Sequence, residues 1–113
     1  MELQIVKTED KVRGKLYDVN IEGKRIELLM TWHALDRMKI WKLDINQVLS
    51  ALLHPEEVVT GHHRRYIAHK RYGEHILRVV YESKDSPVVI TVYFPSTKRY
   101  FAGGGTYADK ILS

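Results

Sequence analysis

Residues 31–53, TWHALDRMKIWKLDINQVLSALL, decide the fold because they encode two short helices with clear boundary signals. Thr31 is a suitable N-cap, and Ala34, Met38 and Trp41 follow it at helical spacing, together with Leu35. The first helix is therefore predicted to begin after Thr31 and to bury that face.

The second helix is predicted to begin after Asp44. Asp44 is followed three residues later by Gln47, which is the pattern of a capping box. Its apolar stripe consists of Ile45, Val48, Leu49, Leu52 and Leu53. The helix should end at His54, because the residue before a proline is pushed out of the helical region.

Strands are predicted on both sides of the helices. Before them, KLYDVNI and KRIELLM flank the turn Glu22-Gly23 and form a hairpin, with Leu3 to Val6 as a further short strand. After them, the alternation predicts strands from Val58 or Arg64 to Arg71, from His75 to Glu82 and from Val88 to Phe94. Short turns join these last strands, so they should form an antiparallel meander. The expected fold class is α+β, with two helices packed on an antiparallel sheet.

The chain of 113 residues fits one domain. Residues 1–28 are interpreted as an N-terminal β-hairpin extension, 29–95 as the core and 96–113 as a tail, in which Gly103–Gly105 suggests mobility. The absence of cysteine excludes disulfides and thiolate catalysis. The sequence shows neither a membrane-spanning run nor a secretory signal, so we expect a cytoplasmic protein without membrane contact.

Positive charge is concentrated between Gly61 and Arg78. This segment has five Lys and Arg residues and one acid, in a chain whose net charge is +4. Cations that neutralise phosphates, interleaved with rings that stack on bases, are typical of an RNA-binding surface. The candidate RNA-binding residues are Arg64, Arg65, Tyr66, Lys70 and Arg71. A solvated hairpin that keeps the protein soluble is the alternative.

A family resemblance rests on several ordered motifs: TWHALDRM, HPEEVVTG, a basic strand, HILRVVYE and VVITVYF. Together they resemble small uncharacterised prokaryotic domains with an [S/T]-x-H-A-x-x-R-M helix. The resemblance covers about residues 29–95. It implies the barnase, EndoU, colicin and RelE-like group, most of whose members are metal-independent ribonucleases and often toxins of toxin–antitoxin pairs.

Metal-free RNA cleavage needs a base, an acid and cations on the phosphate, and five residues are candidates for these roles. His33 lies in the first turn of its helix, where backbone N–H groups favour an anion, and Arg37 follows one turn later. Arg78 interrupts an apolar strand, whereas Thr91 and Tyr93 share a face of the last strand. We expect His33 to act as acid or base, Arg37 and Arg78 to hold the phosphate, and Tyr93 with Thr91 to orient the nucleophile. The assignment of acid and base between His33 and Tyr93 stays open.

Each candidate also has a structural interpretation. In these interpretations, His33 is a surface or partner-satisfied residue, and Arg37 pairs with Asp36 or a strand acid. Arg78 extends along the sheet to solvent, and Tyr93 fills the edge of the core. The four histidines His62, His63, His69 and His75 lack the spacing of a known metal motif. No metal and no cofactor are therefore expected.

Two functions follow from the sequence. The first is a toxin-like, metal-independent ribonuclease, neutralised by a small antitoxin protein that covers its basic face. The second is a non-catalytic module of the same fold that binds RNA or a protein. Three roles stay open for the N-terminal hairpin: it covers a sheet edge, makes the contact of a homodimer, or guides the antitoxin.

Overall fold

A computed structural model describes residues 3–83 and 85–97 of the chain. In chain order, the elements are β1 (Leu3–Asp10), β2 (Gly14–Ile21), β3 (Lys24–Thr31), α1 (Trp32–Trp41), α2 (Ile45–Leu53), β4 (Glu57–Thr60), β5 (Arg65–Tyr72), β6 (His75–Ser83) and β7 (Pro87–Tyr93). These strands form a single seven-stranded sheet in the order β1-β2-β3-β7-β6-β5-β4. The expected mobility of Gly103–Gly105 concerns residues outside those described.

The fold is α+β, as predicted, but the sheet is not antiparallel throughout. β3 and β7 run parallel and pair over two residue pairs, Leu29 with Val88 and Met30 with Val89. A parallel pair requires a long crossover, which here consists of both helices and the strands β4 to β6. Long-range pairing of this kind has no local sequence signal, so the prediction of a purely antiparallel sheet was wrong at this junction.

Both helices begin where the sequence predicts, and α2 ends before His54 as predicted. The Thr31 Oγ1 atom accepts a hydrogen bond from Ala34 N at 3.1 Å and caps α1, which ends at Lys42 in the left-handed conformation. At the start of α2, Asp44 and Gln47 form the complete capping box. Neither helix in the described part of the chain is long and apolar enough to cross a membrane.

One face of the sheet packs against the helices. The core on this face includes residues from α1, α2 and five strands: Ala34, Met38, Val48, Leu49, Leu52, Val19, Leu28, Met30, Ala68, Leu77, Val79, Val89 and Val92. Since side chains alternate along a strand, the residues between these point to the other face. That second face is also buried in the centre, at Ile67, Ile76 and Val80.

The segment between α2 and β6 forms two strands, β4 and β5, where a single strand was predicted. They are joined by a turn, His62–Arg65, in which Arg65 N donates to His62 O at 3.2 Å. Its two central residues, His63 and Arg64, have positive φ angles of 59° and 61°. Glycine or asparagine normally marks such a turn, so His63 and Arg64 gave no sequence signal for it.

The first strand also differs from the prediction, because β1 extends to Asp10 rather than ending at Val6.

An ion pair joins β2 and β3, and it gives a prediction about pH. The Arg25 guanidinium, whose Nε donates to Asp18 Oδ1 at 3.1 Å, lowers the pKa of the Asp18 carboxyl below its ordinary value. The stabilisation is therefore present above the ordinary pKa and is lost as the pH falls through the lowered one. In an NMR titration, Arg25→Gln should move the Asp18 pKa upwards. An unchanged pKa would contradict this pairing in solution.

Candidate functional site

The face of the sheet opposite the helices has a group of polar residues around β6 and β7. Arg78 pairs with Tyr93 and Val80 pairs with Thr91 across these strands, so Arg78, Thr91 and Tyr93 share that face. Directly opposed residues lie about 5 Å apart at their Cβ atoms. Three of the five predicted catalytic residues are thus brought together by the register of one antiparallel pair.

His33 reaches the same group from α1. β3 leaves β7 after two residue pairs, and the first turn of α1 then lies beside β7, where Thr31 Oγ1 donates to Ile90 O at 3.0 Å. The His33 Nε2 atom lies 3.1 Å from Thr91 Oγ1. His33 is exposed while Thr91 is buried, so the imidazole lies at the surface and contacts the sheet through one ring nitrogen.

Arg37 lies one turn after His33 and is half-buried. Its Nε atom is buried and has no hydrogen-bond partner among the described residues. Arg37 also forms no ion pair with any of those residues. The interpretation that Arg37 pairs with Asp36 was therefore wrong. A buried N–H of a guanidinium is costly to leave without an acceptor. An anion beside α1 would supply one.

Arg78 is fully buried, so the interpretation that it extends to solvent was wrong. Its Nε donates to His69 Nε2 at 3.1 Å. The other ring nitrogen, His69 Nδ1, lies 3.0 Å from Glu57 Oε1. Glu57, His69, Arg78 and Tyr93 are successive cross-strand partners on β4, β5, β6 and β7, and we call these four residues the cross-sheet row.

His69 and Glu57 are the functional candidates that the sequence did not reveal. In RYIAHKRY, alternation places His69 on the same face as Ile67, and a polar residue among buried apolar ones is an informative signal. Glu57 had no such signal, because β4 itself was not recognised. The side chain of Glu57 remains 39% exposed, whereas that of His69 is 6% exposed.

The five predicted RNA-binding residues do not form one surface. Pairing of β5 with β6 places Arg65 and Arg71 on the face of the cross-sheet row and Tyr66 and Lys70 on the face of the helices, while Arg64 lies in the turn. Three of them also contact other side chains. Arg65 lies 3.7 Å from Glu82, Lys70 donates to Ser50 Oγ at 2.9 Å, and Tyr66 stacks on Tyr81 at 5.6 Å. Arg64 and Arg71 are exposed.

The four histidines of the basic segment do not form a cluster. His69 is buried in the cross-sheet row, His75 stacks on Phe94 with ring centroids 4.7 Å apart, and His62 and His63 lie at the exposed turn. Within residues 3–83 and 85–97, no group of three metal-ligating side chains is close enough to hold a metal ion.

Fold and site together define an α+β protein with helices on one face of its sheet and the cross-sheet row on the other. A model of the family described as a domain of unknown function, DUF4258, matches residues 30–94. The chain belongs to this family. The matched segment contains His33, Arg37, Thr91 and the whole cross-sheet row, whereas β1 and β2 precede it. Neither the curated proteins nor the solved structures gave a match.

Proposed function

We propose that this protein is a metal-independent, toxin-like ribonuclease that acts on cytoplasmic RNA and is blocked by a small antitoxin protein. The observation that carries the proposal is the contact of 3.1 Å between His33 Nε2 and Thr91 Oγ1. It brings a proton-transferring group to the face of the sheet that bears Arg78 and Tyr93. A relationship to the RelE- and barnase-like nucleases is part of this proposal.

The reaction proposed is attack of a ribose 2′-OH on the adjacent phosphorus. A base takes the proton of the 2′-OH, the bond from phosphorus to the 5′-oxygen breaks, and an acid protonates that leaving oxygen. The products are a 2′,3′-cyclic phosphate and a 5′-OH. Because histidine can both accept and donate a proton, the exposed imidazole of His33 suits one of these two transfers. Tyr93 lies beside Thr91 along β7 and orients the nucleophile.

Two arginines supply the positive charge that the phosphate requires. Arg37 lies on the same side of α1 as His33, and its buried Nε provides a donor for a phosphate oxygen. Arg78 is buried beneath the surface next to Tyr93, where its charge acts across a medium of low dielectric constant. Such a fixed charge stabilises the phosphorane as negative charge develops.

Two exposed arginines near the two ends of β5 extend the proposed contact with RNA. Arg64 projects from the turn between β4 and β5, and Arg71 is exposed at the far end of β5. An acidic antitoxin segment would compete with RNA for the same cations. A free edge strand such as β1, exposed over almost its whole length, provides a place for such a partner or for a second copy.

The turn at Arg64 gives a prediction that separates stability from binding. Arg64→Gly relieves the positive φ of 61° and should raise the free energy of unfolding; the gain expected is about 1 kcal/mol. The same change removes a phosphate contact and should reduce the salt slope of RNA affinity by about 0.7. Denaturant unfolding and RNA titrations at several salt concentrations measure the two effects.

The matched control lies in the turn between β2 and β3. Glu22 also has a positive φ, 50°, and Glu22→Asn should stabilise the protein without reducing the salt slope. If Arg64→Gly stabilises the protein but leaves the slope unchanged, this turn does not contact RNA.

A comparison of RNA with DNA as substrate tests the ribonuclease proposal. Purified protein is incubated in EDTA with two oligonucleotides of one sequence, of which one is RNA and the other DNA. We expect the RNA to be cut and the DNA to remain intact, because only ribose has the nucleophile. If both are bound equally and neither is cut, the protein is a binding module and the proposal is wrong. Cleavage of the DNA would also contradict it.

A further inference from the structure

We infer that His69 and Glu57 are positioning residues that hold the Arg78 guanidinium in a single orientation beside Tyr93. This inference deepens the proposed ribonuclease function and rests on it for its catalytic meaning. It does not give either residue a contact with RNA. The observations are the two hydrogen bonds of the cross-sheet row and the burial of its central residues.

The hydrogen bonds define the tautomer of His69. An arginine Nε always has its hydrogen, because the guanidinium does not deprotonate in proteins. At the distance of 3.1 Å, His69 Nε2 must therefore accept, and its lone pair faces Arg78. A neutral imidazole then has its hydrogen on Nδ1, which donates to Glu57 Oε1 at 3.0 Å.

This arrangement explains why a carboxylate, an imidazole and a guanidinium follow each other across three strands. Glu57 orients the ring of His69, and the ring presents its lone pair to one N–H of Arg78. That hydrogen bond, in a fully buried position, restricts rotation of the planar guanidinium. Arg78 is also the cross-strand partner of Tyr93, on the face that bears Thr91, where the transition state would form.

Two substitutions of His69 separate positioning from packing. His69→Gln keeps an acceptor at the place of Nε2, whereas His69→Leu keeps the volume and removes the acceptor. We expect His69→Leu to lower kcat about 100-fold with KM nearly unchanged, because a misplaced donor affects the transition state and not the ground state. His69→Gln should recover most of that loss. His54→Leu, at an exposed histidine that ends α2, is the matched control and should leave kcat unchanged.

NMR tests the geometry without any activity. Nitrogen shifts of His69 should show the neutral tautomer with its hydrogen on Nδ1, and the Arg78 Nε–H signal should exchange slowly with water. That protection should persist in His69→Gln and disappear in His69→Leu. A His69 hydrogen on Nε2, or equal protection in both variants, would overturn the inference.

The two proposals fail in different ways. If the wild type shows the expected tautomer and protection but cuts no RNA, the ribonuclease function is wrong and the row serves only to hold a buried charge. If the wild type cuts RNA and His69→Leu retains the kcat of the wild type, the ribonuclease function stands and the positioning role is wrong.

Discussion

His33→Ala is expected to lower the rate of RNA cleavage by about 1,000-fold, since a positioned acid or base contributes on that order. The free energy of unfolding should change by less than about 1 kcal/mol, because His33 is exposed and gives up its hydrogen bond to Thr91. Single-turnover cleavage and denaturant unfolding of the same preparations provide the measurement.

Two further variants make the result specific. His33→Gln can still bond to Thr91 Oγ1 but cannot transfer a proton at neutral pH, so we expect the same loss of rate. Asp36→Ala changes an exposed residue on the same helix and should retain the rate of the wild type. Full activity of His33→Gln would show that the imidazole has only a structural role.

Arg78→Met is the second change with a large expected effect. It removes a fully buried positive charge beside Tyr93 and should lower the cleavage rate by at least about 100-fold, as the loss of one oxyanion donor does. The free energy of unfolding should fall by about 1–3 kcal/mol, because methionine keeps most of the volume but leaves the buried His69 Nε2 without its donor. The remaining Glu57 is partly exposed, and water can solvate it.

The conservative control at this position is Arg78→Lys. Lysine keeps the charge but cannot present the planar guanidinium, so its rate should lie between those of the wild type and Arg78→Met. If Arg78→Met is folded and cuts RNA as fast as the wild type, the buried charge has no part in catalysis.

The helices of this fold could be predicted because their signals are local. A cap at Thr31 and a capping box at Asp44 act within one turn, and the apolar stripes determine which side packs on the sheet. The parallel pairing of β3 with β7 joins residues about 60 positions apart in the chain, and no short motif specifies it. Strand β4 was missed because the turn after it uses His63 and Arg64 at positive φ.

The candidate site was predictable in its residue types but not in its connections. His33 and Arg78 were recognised as chemically unusual within their elements, yet their partners depend on register and burial. Alternation in β5 could have placed His69 beside Arg78, but only once the pairing of β5 with β6 was known. The same alternation divides the basic segment between two faces, which composition alone does not reveal.

The central claim is that His33, Thr91, Arg78 and Tyr93 form a metal-free site for RNA cleavage. The most direct measurement compares the ends of RNA fragments released in EDTA by the wild type and by His33→Ala. We predict 2′,3′-cyclic phosphate ends from the wild type and almost none from the variant. Fragments with those ends released equally by both proteins, or by neither, would contradict the claim.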